Sequence, residues 1–325
     1  FFSRTDINHL VTTLKYPDYR MVIPAVILYM VSMLWRTVRF HILLGSSVTL
    51  PFSKTWSAMS IGYAINNILP VRIGDLVRIY LVSQYRKTSK SSVLATIVTE
   101  RISDGVIIMV LVAVAAPVVP LVPLFQDLGA QANINWLVFT LGLSLPFFLI
   151  FTAVIILIFR PDTSHRLLKV IERLCPSTIS ITLGNIILGF NKGLSTLRTS
   201  KGIAIIVLVS IPIWISEFGV YVVLAYGFGI DNHFLDLKTL FGSIVLVGAI
   251  ANLGTNIPSS NGGIGTFEFF SHSALLFFGI DPTIGAIYVM AVHATIILPI
   301  TLIGIGYMTL GNLSLFGLIN KSQST

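Results

Sequence analysis

Ala-Asn-Leu-Gly-Thr-Asn-Ile-Pro-Ser-Ser-Asn-Gly-Gly-Ile-Gly-Thr-Phe-Glu, residues 251–268, is a polar, glycine-rich stretch with Pro258 near its centre and long apolar runs on both sides. In hydrocarbon every backbone N–H and C=O needs a partner. Broken backbone therefore persists at membrane depth only inside protein or along a wet cavity, and this break reads as a site. A second break lies at residues 65–78, Ile-Asn-Asn-Ile-Leu-Pro-Val-Arg-Ile-Gly-Asp-Leu-Val-Arg. Both run Asn, Ile or Leu, Pro, then Gly, then an ionisable side chain. Paired interrupted segments in the two halves of a membrane protein point to a transport site.

Composition sets the class. Of the 325 residues, 54% are hydrophobic and 10% charged, and the mean hydropathy is +0.89. Soluble domains carry about 25% charged residues, so the chain is an integral membrane protein. Its apolar runs are continuous over about 20 residues, which selects helices over a β-barrel of alternating segments. The single cysteine, Cys175, allows no internal disulfide. The net charge of +8 reports basic cytoplasmic loops in a cell-membrane protein and does not call for nucleic acid. The chain begins at Phe1 rather than Met, and one more helix is a candidate to precede it.

Taken in order, residues 1–20 are polar with aromatic residues, including Tyr16 and Tyr19, and suit a membrane interface. Residues 20–44 form the first span, whose end carries Trp35, Arg36, Arg39 and His41, a basic cluster expected in the cytoplasm. Residues 54–69 and 76–82 are each marginal for a crossing and read as a re-entrant hairpin entered from the cytoplasm. The loop at 83–92 holds Arg86, Lys87 and Lys90. Residues 93–116 span. Residues 117–133 contain three prolines and no Lys or Arg, and read as an outside loop. Residues 136–159 return inward. Residues 160–201 are the most basic region, with Leu167, Leu168, Ile171 and Leu174 at the spacing of an amphipathic surface helix. Residues 203–226 cross outward, 240–257 and 264–278 flank the main break, and 284–310 close the membrane region.

A symmetry follows. The first set is an inward span, a hairpin from inside and an outward span. The second set is the same, inverted. The expected fold is all-α and polytopic, with two inverted repeats that each contain a broken or re-entrant hairpin. Residues 1–134 make the first repeat, 135–200 the connecting span with its basic amphipathic segment, and 201–325 the second repeat. Residues 240–257 are also long enough to cross fully, which would make the symmetry less clean.

Ionisable side chains inside membrane segments are costly and mark functional paths. Arg72, Asp75 and Arg78, with Asn67, occupy the first break. The arginines suit a phosphate through charge-assisted hydrogen bonds, or are loop arginines that pair with Asp75. Glu100, Arg101 and Asp104 follow on the next span. Glu100 and Asp104 share a helical face and Arg101 is within reach of Asp104, as a structural network or as further headgroup ligands. Glu217, beside Trp214 and Ser216, lies deep in its span. It reads as a proton carrier, a cation ligand, the partner of an arginine in the first half, or a neutral carboxyl bonded to backbone. Asn256, Ser259, Asn261, Gly262, Gly263 and Gly265 form the second break, where glycines free N–H groups at a helix start in an anion-binding arrangement. Glu217, Glu268 and His272 are the coupling or gating candidates, and Glu268 and His272 also share one helical face as a weak metal pair. His293, alone in its span, reads as a packing residue. Gly-Gly-Ile-Gly lacks the strand and the Lys-Ser/Thr ending of a nucleotide loop. No catalytic triad, zinc-protease motif or paired-carboxylate arrangement is present in the sequence, so neither an enzyme nor a bound cofactor is expected.

Five motifs occur in the order of one known group: Trp35-Arg36-x-x-Arg39, Asn67-Ile-Leu-Pro70-Val-Arg72-Ile-Gly74-Asp75-x-x-Arg78, Thr99-Glu100-Arg101-x-x-Asp104, Trp214-x-x-Glu217, and Pro258-x-x-x-Gly262-Gly263-x-Gly265-x-x-Glu268. Through them nearly the whole chain resembles the lysylphosphatidylglycerol synthase transmembrane-region family, which includes the flippase half of the multiple peptide resistance factor. The family pattern often has Trp directly after Arg and Glu where Asp75 stands, a mild departure. The resemblance implies movement of a charged or glycosylated lipid between leaflets. The cargo classes it implies are aminoacyl-phosphatidylglycerol, another phospholipid, or a polyprenyl-phosphate-linked sugar. Membrane lipids would be the substrate, with a soluble glycosyltransferase or lipid-modifying enzyme as a candidate partner. The chain stops at Thr325 without the soluble aminoacyl-transfer domain of the fusion proteins, so synthase activity is not carried over. Three rivals stay open: a lipid-modifying membrane enzyme, a scaffold that recruits a soluble enzyme through residues 160–201, and a small-solute transporter.

Overall fold

A computed structural model describes residues 14–15, 17–45, 50–70, 72–84, 88–131, 133–160, 177–255 and 261–314, with isolated positions between 161 and 176 and Gly317. Every regular element among them is helical. The helices are α1 (Val22–Leu44), α2 (Phe52–Ile68), α3 (Ile73–Ser83), α4 (Lys90–Ala115), α5 (Leu121–Gln131), α6 (Trp136–Phe159), α7 (Ser177–Gly193), α8 (Ser200–Gly227), α9 (Leu237–Gly254), α10 (Thr266–Phe277) and α11 (Pro282–Leu310).

The long helices are sorted inside out relative to a soluble protein. On α1 the exposed stripe is Ile23, Ile27, Val31 and Leu34, at helical spacing, whereas Ser32, Arg36, Thr37 and Arg39 are buried. α8 repeats the pattern, with Val207, Leu208, Ile211 and Ile215 outside and Ser210, Ser216 and Glu217 inside. A helix that is apolar outward and polar inward has hydrocarbon for solvent. α1 with its preceding turn, α8, α9 and α11 are each long and apolar enough to cross a membrane. α6 is 24 residues long and carries no ionisable side chain.

Helix starts follow the caps. Asp236 accepts from the Thr239 N–H at 2.8 Å and from its hydroxyl at 2.9 Å, starting α9. Those donors hold its carboxyl below the ordinary aspartate range. Asp281 accepts from Thr283 and Ile284 ahead of Pro282, starting α11. These polar turns carry α9 and α11 a few residues beyond the apolar runs that announce them. The proline-rich stretch 117–133 contains α5, where the sequence reads as a loop. Pro123 sits in the first turn of α5, where no N–H is owed to the helix, and Leu124 and Leu128 anchor it by burial. The expected surface helix around residues 167–174 lies outside the described residues but for isolated positions, and so do residues 1–13.

Two helical hairpins carry the breaks. α2 (17 residues) turns into α3 (11 residues), and α9 (18 residues) turns into α10 (12 residues). At about 1.5 Å per residue α3 and α10 run about 16–18 Å, roughly half of a 30 Å hydrocarbon layer. α2 and α3 meet backbone to backbone. A Cβ added at Gly74 would lie 1.9 Å from the Gly62 carbonyl oxygen. Gly74→Ala is therefore expected to cost about 1–3 kcal/mol or more through overpacking against backbone that has no flexible end to move. Thermal unfolding in nanodiscs checks it, and an unchanged midpoint would mean that the hairpin opens freely.

The packing pairs are regular. α1 lies along α8. α2 packs on α11, and α9 packs on α4. α3 touches α4 as α10 touches α11, and α1 touches α11 as α8 touches α4. Exchanging α1–α4 for α8–α11 maps the α1–α8 pair onto itself and each of the other pairs onto another. The largest apolar core, which includes Tyr29, Met33, Trp214, Tyr221, Phe270 and Tyr288, fills the space among α1, α8, α9, α10 and α11.

Candidate functional site

The polar residues gather where the two hairpins meet the long helices. Arg36 on α1 reaches Asp104 on α4 at 3.3 Å and also pairs with Glu217 on α8. Its guanidinium lies over the Trp214 ring, 5.5 Å from the centroid. One turn on, Arg39 reaches the other Asp104 oxygen at 2.8 Å and donates to the Ser210 hydroxyl at 3.0 Å. This chain of charges ties α1, α4 and α8 together. The basic cluster expected at a cytoplasmic helix end is thus partly buried. Arg36 is 7% exposed and Arg39 1%, and both serve tertiary ion pairs. Glu217 takes the arginine partner from the first half that was one of its readings.

Arg78 is not a loop arginine paired with Asp75. It is 1% exposed, pairs with Glu100, and its guanidinium lies 4.2 Å from the centroid of the Phe40 ring. Arg101 does not pair with Asp104. Its side chain turns the other way, to Asp75 at 3.3 Å, and Asp75 also accepts from the Asn66 amide at 3.3 Å. This pair is the wet edge of the network. The Arg101 side chain is 34% exposed and that of Asp75 18%, against 12% or less for the other paired groups on α1, α3, α4 and α8.

The two breaks touch. Arg72 stands at φ +52° ahead of α3 and donates to the Thr255 carbonyl at 3.2 Å. A cation there meets the exposed carbonyls that end α9. Arg72 also lies in the field of Arg101 and Asp75. Asn67 donates to the Thr301 hydroxyl on α11 at 2.9 Å. Gly262, at φ +62°, lies so close that a Cβ on it would be 3.1 Å from the Asn67 carbonyl. Only glycine suits that position on both counts.

On the second hairpin the helix start is already occupied by an anion. The Gly265 N–H donates to Glu268 Oε2 at 2.7 Å, a capping box closed by the chain's own carboxylate. The other oxygen, Oε1, lies 2.5 Å from His293 Nδ1. His293 Nε2 lies 3.1 Å from the Gly262 carbonyl, and its ring stacks on Phe267 at 4.1 Å. His272 has a partner of its own, since its Nε2 lies 2.8 Å from the Pro282 carbonyl. Gly263 (φ +80°) and Gly265 (φ +95°) complete the turn before α10. Asn256 and Ser259 lie outside the described residues, as does the side chain of Asn261. Among the described residues no three His, Cys, Asp or Glu side chains gather as a metal site.

The structure thus brings Arg72, Asp75, Arg101, Asn67 and Gly262 to one junction, with Arg78, Glu100, Asp104 and Glu217 behind it. Three members escaped the sequence reading as site residues: Arg36, Arg39 and His293. The available signal was depth. Arg39 stands five residues before Leu44, and His293 stands near the middle of a 29-residue helix that has no other ionisable group except tyrosines.

A family model described as the lysylphosphatidylglycerol synthase TM region matches residues 1–304. No curated protein and no solved structure matches the chain.

Proposed function

The chain belongs to the family of the lysylphosphatidylglycerol synthase TM region, and from that premise we propose that it is a lipid flippase, not an enzyme. Membership makes it an integral membrane protein with a lipid-related function. The proposed cargo is an anionic or glycosylated lipid that moves between the leaflets of the cell membrane. The basic loops face the cytoplasm.

One observation carries the reading. Among the described residues Arg101 and Asp75 are the most exposed pair of the arginine–carboxylate network, and Arg72 lies in the field of both where the two breaks meet. Two guanidiniums beside a partly exposed carboxylate, at the junction of two broken hairpins, suit a phosphate. Arg72 and Arg101 are the proposed phosphate ligands. Arg78, sealed against Glu100 and Phe40, is a buttress in this reading.

The packing exchange between α1–α4 and α8–α11 supports two inverted repeats, with α2–α3 and α9–α10 as hairpins entering from opposite sides. Rocking of one repeat against the other would open the junction to each leaflet in turn.

The test is transfer of a fluorescent phosphatidylglycerol analogue across proteoliposomes, read by quenching of the outer leaflet. A charge-assisted contact contributes about 1.5–3 kcal/mol, so Arg101→Ala is expected to slow transfer by about ten- to a hundredfold. Transfer at the wild-type rate would remove Arg101 from the path. A folded wild-type protein that moves no lipid analogue would end the flippase reading.

A further inference from the structure

We propose that Glu268 and His293 form a proton-binding site that holds the second hairpin to α11, where it lies against the first, and that lipid movement is proton-linked through it. The second clause rests on the transport reading above. The first stands on hydrogen-bond chemistry alone.

His293 touches acceptors at both ring nitrogens. Nε2 faces the Gly262 carbonyl oxygen at 3.1 Å, and a carbonyl only accepts, so Nε2 carries a hydrogen. Nδ1 faces Glu268 Oε1 at 2.5 Å, so a hydrogen must lie between those two atoms as well. Either the imidazole is doubly protonated beside a carboxylate, or a neutral imidazole accepts from a protonated carboxyl. Both descriptions contain one proton more than a neutral histidine beside a carboxylate. When that proton leaves for water, one of the two bonds goes with it. Glu268 retains its Gly265 N–H bond through Oε2, but His293 can no longer hold both Glu268 and Gly262. Gly262 is the residue of the second break that lies against Asn67 of the first. Proton loss therefore loosens the hold of α11 on the second hairpin at the place where it meets the first.

The two halves make the same pair with different bases. Asp75 is the third residue of α3, and Arg101 the twelfth of α4. Glu268 is the third residue of α10, and His293 the twelfth of α11. Helices α3 and α4 correspond to α10 and α11 in the packing exchange. At matching positions the first half has an arginine, which does not release its proton, and the second has a histidine, whose ring exists with one proton or two. One latch is permanent and the other is switchable.

α1, α2, α8 and α10 pack against α11, α2 brings Lys54 and Tyr63, and several ionisable groups on the other elements have partners of their own. His272 on α10 bonds the Pro282 carbonyl. Arg36 on α1 and Glu217 on α8 pair with one another. Tyr288 on α11 donates to the Tyr221 carbonyl. Among the described residues Glu268 is the ionisable partner that reaches His293.

Hydrogen–deuterium exchange of residues 261–277 in nanodiscs, corrected for intrinsic pH effects and compared between about pH 5.5 and about pH 8.5, tests the site. Wild type is expected to exchange about tenfold faster at the higher pH. Glu268→Gln, isosteric and without a titrating carboxyl, and His293→Arg, which installs the chemistry of the first half, are both expected to lose the step. His272→Gln is expected to keep it. A flat wild-type profile, or a step that survives in both Glu268→Gln and His293→Arg, overturns the proton site. The coupling is read in proteoliposomes with fluorescent phosphatidylglycerol under an imposed pH gradient, where wild type is expected to respond and His293→Arg is not. An exchange step without lipid transfer in any gradient keeps the proton site and sinks the flippase reading. Lipid transfer with a flat exchange profile sinks the proton site alone. Transfer indifferent to the gradient, with the exchange step intact, overturns the coupling.

Discussion

Asp104→Ala is expected to be among the most damaging single substitutions in the chain, at about 3–5 kcal/mol. The carboxylate stands between two guanidiniums, 2.8 Å from Arg39 and 3.3 Å from Arg36. Arg39 is 1% exposed and, among the described residues, keeps the Ser210 hydroxyl as its side-chain acceptor once Asp104 is gone. Arg36 retains Glu217. An uncompensated guanidinium in a dry helix bundle has no water to turn to, so the cost is that of the stranded cation and not merely of the lost bond. Asp104→Asn keeps the shape and one acceptor and is expected to lose less. The measurement is the thermal unfolding midpoint in nanodiscs, beside the fraction of monodisperse protein after extraction. An Asp104→Ala protein that melts with wild type would mean that α1, α4 and α8 hold together by apolar packing alone, and the network would then be free to serve function only.

The fold class was open to reading because its signal is strong and local. Long uncharged runs such as Trp136–Phe159 leave helix in a membrane as the answer, and the two breaks announce themselves by Pro and Gly. Partner choice was less legible. Arg101 and Asp104 lie three apart on one helix, a spacing that contributes about 0.2–0.5 kcal/mol. Inside the bundle that preference loses to tertiary pairs, since Asp75 comes from 26 positions away and Glu217 lies 181 from Arg36. Arg36 and Arg39 mislead for a related reason. A basic pair near a helix end satisfies the positive-inside rule whether it faces water or a buried carboxylate. α5 was hidden by its prolines, which matter only beyond the first turn. The Glu268–His272 spacing suggested a pair, yet each side chain found its partner on or beside α11.

Arg78 and Glu100 make the second large effect, and a double substitution separates structure from transport. Arg78→Met is expected to cost about 3–5 kcal/mol, because it leaves the Glu100 carboxylate 4% exposed and without its partner. Arg78→Met with Glu100→Gln removes both charges at similar volume. Such exchanges are often neutral in stability, and the methionine keeps an apolar stem against the Phe40 ring that the guanidinium now covers. The double variant is therefore expected to recover most of the unfolding midpoint that the single variant loses. Its lipid transfer then decides what Arg78 does. In the reading proposed here the phosphate meets Arg72 and Arg101, so the recovered double variant moves lipid at a rate within about threefold of wild type, less than the tenfold that 1.4 kcal/mol would make. A double variant that folds but moves no lipid would place Arg78 on the path itself. The bundle would then have to open far enough between α3 and α4 to uncover a side chain that is now sealed, and the wet edge at Arg101 would be an entrance to the site and not the site.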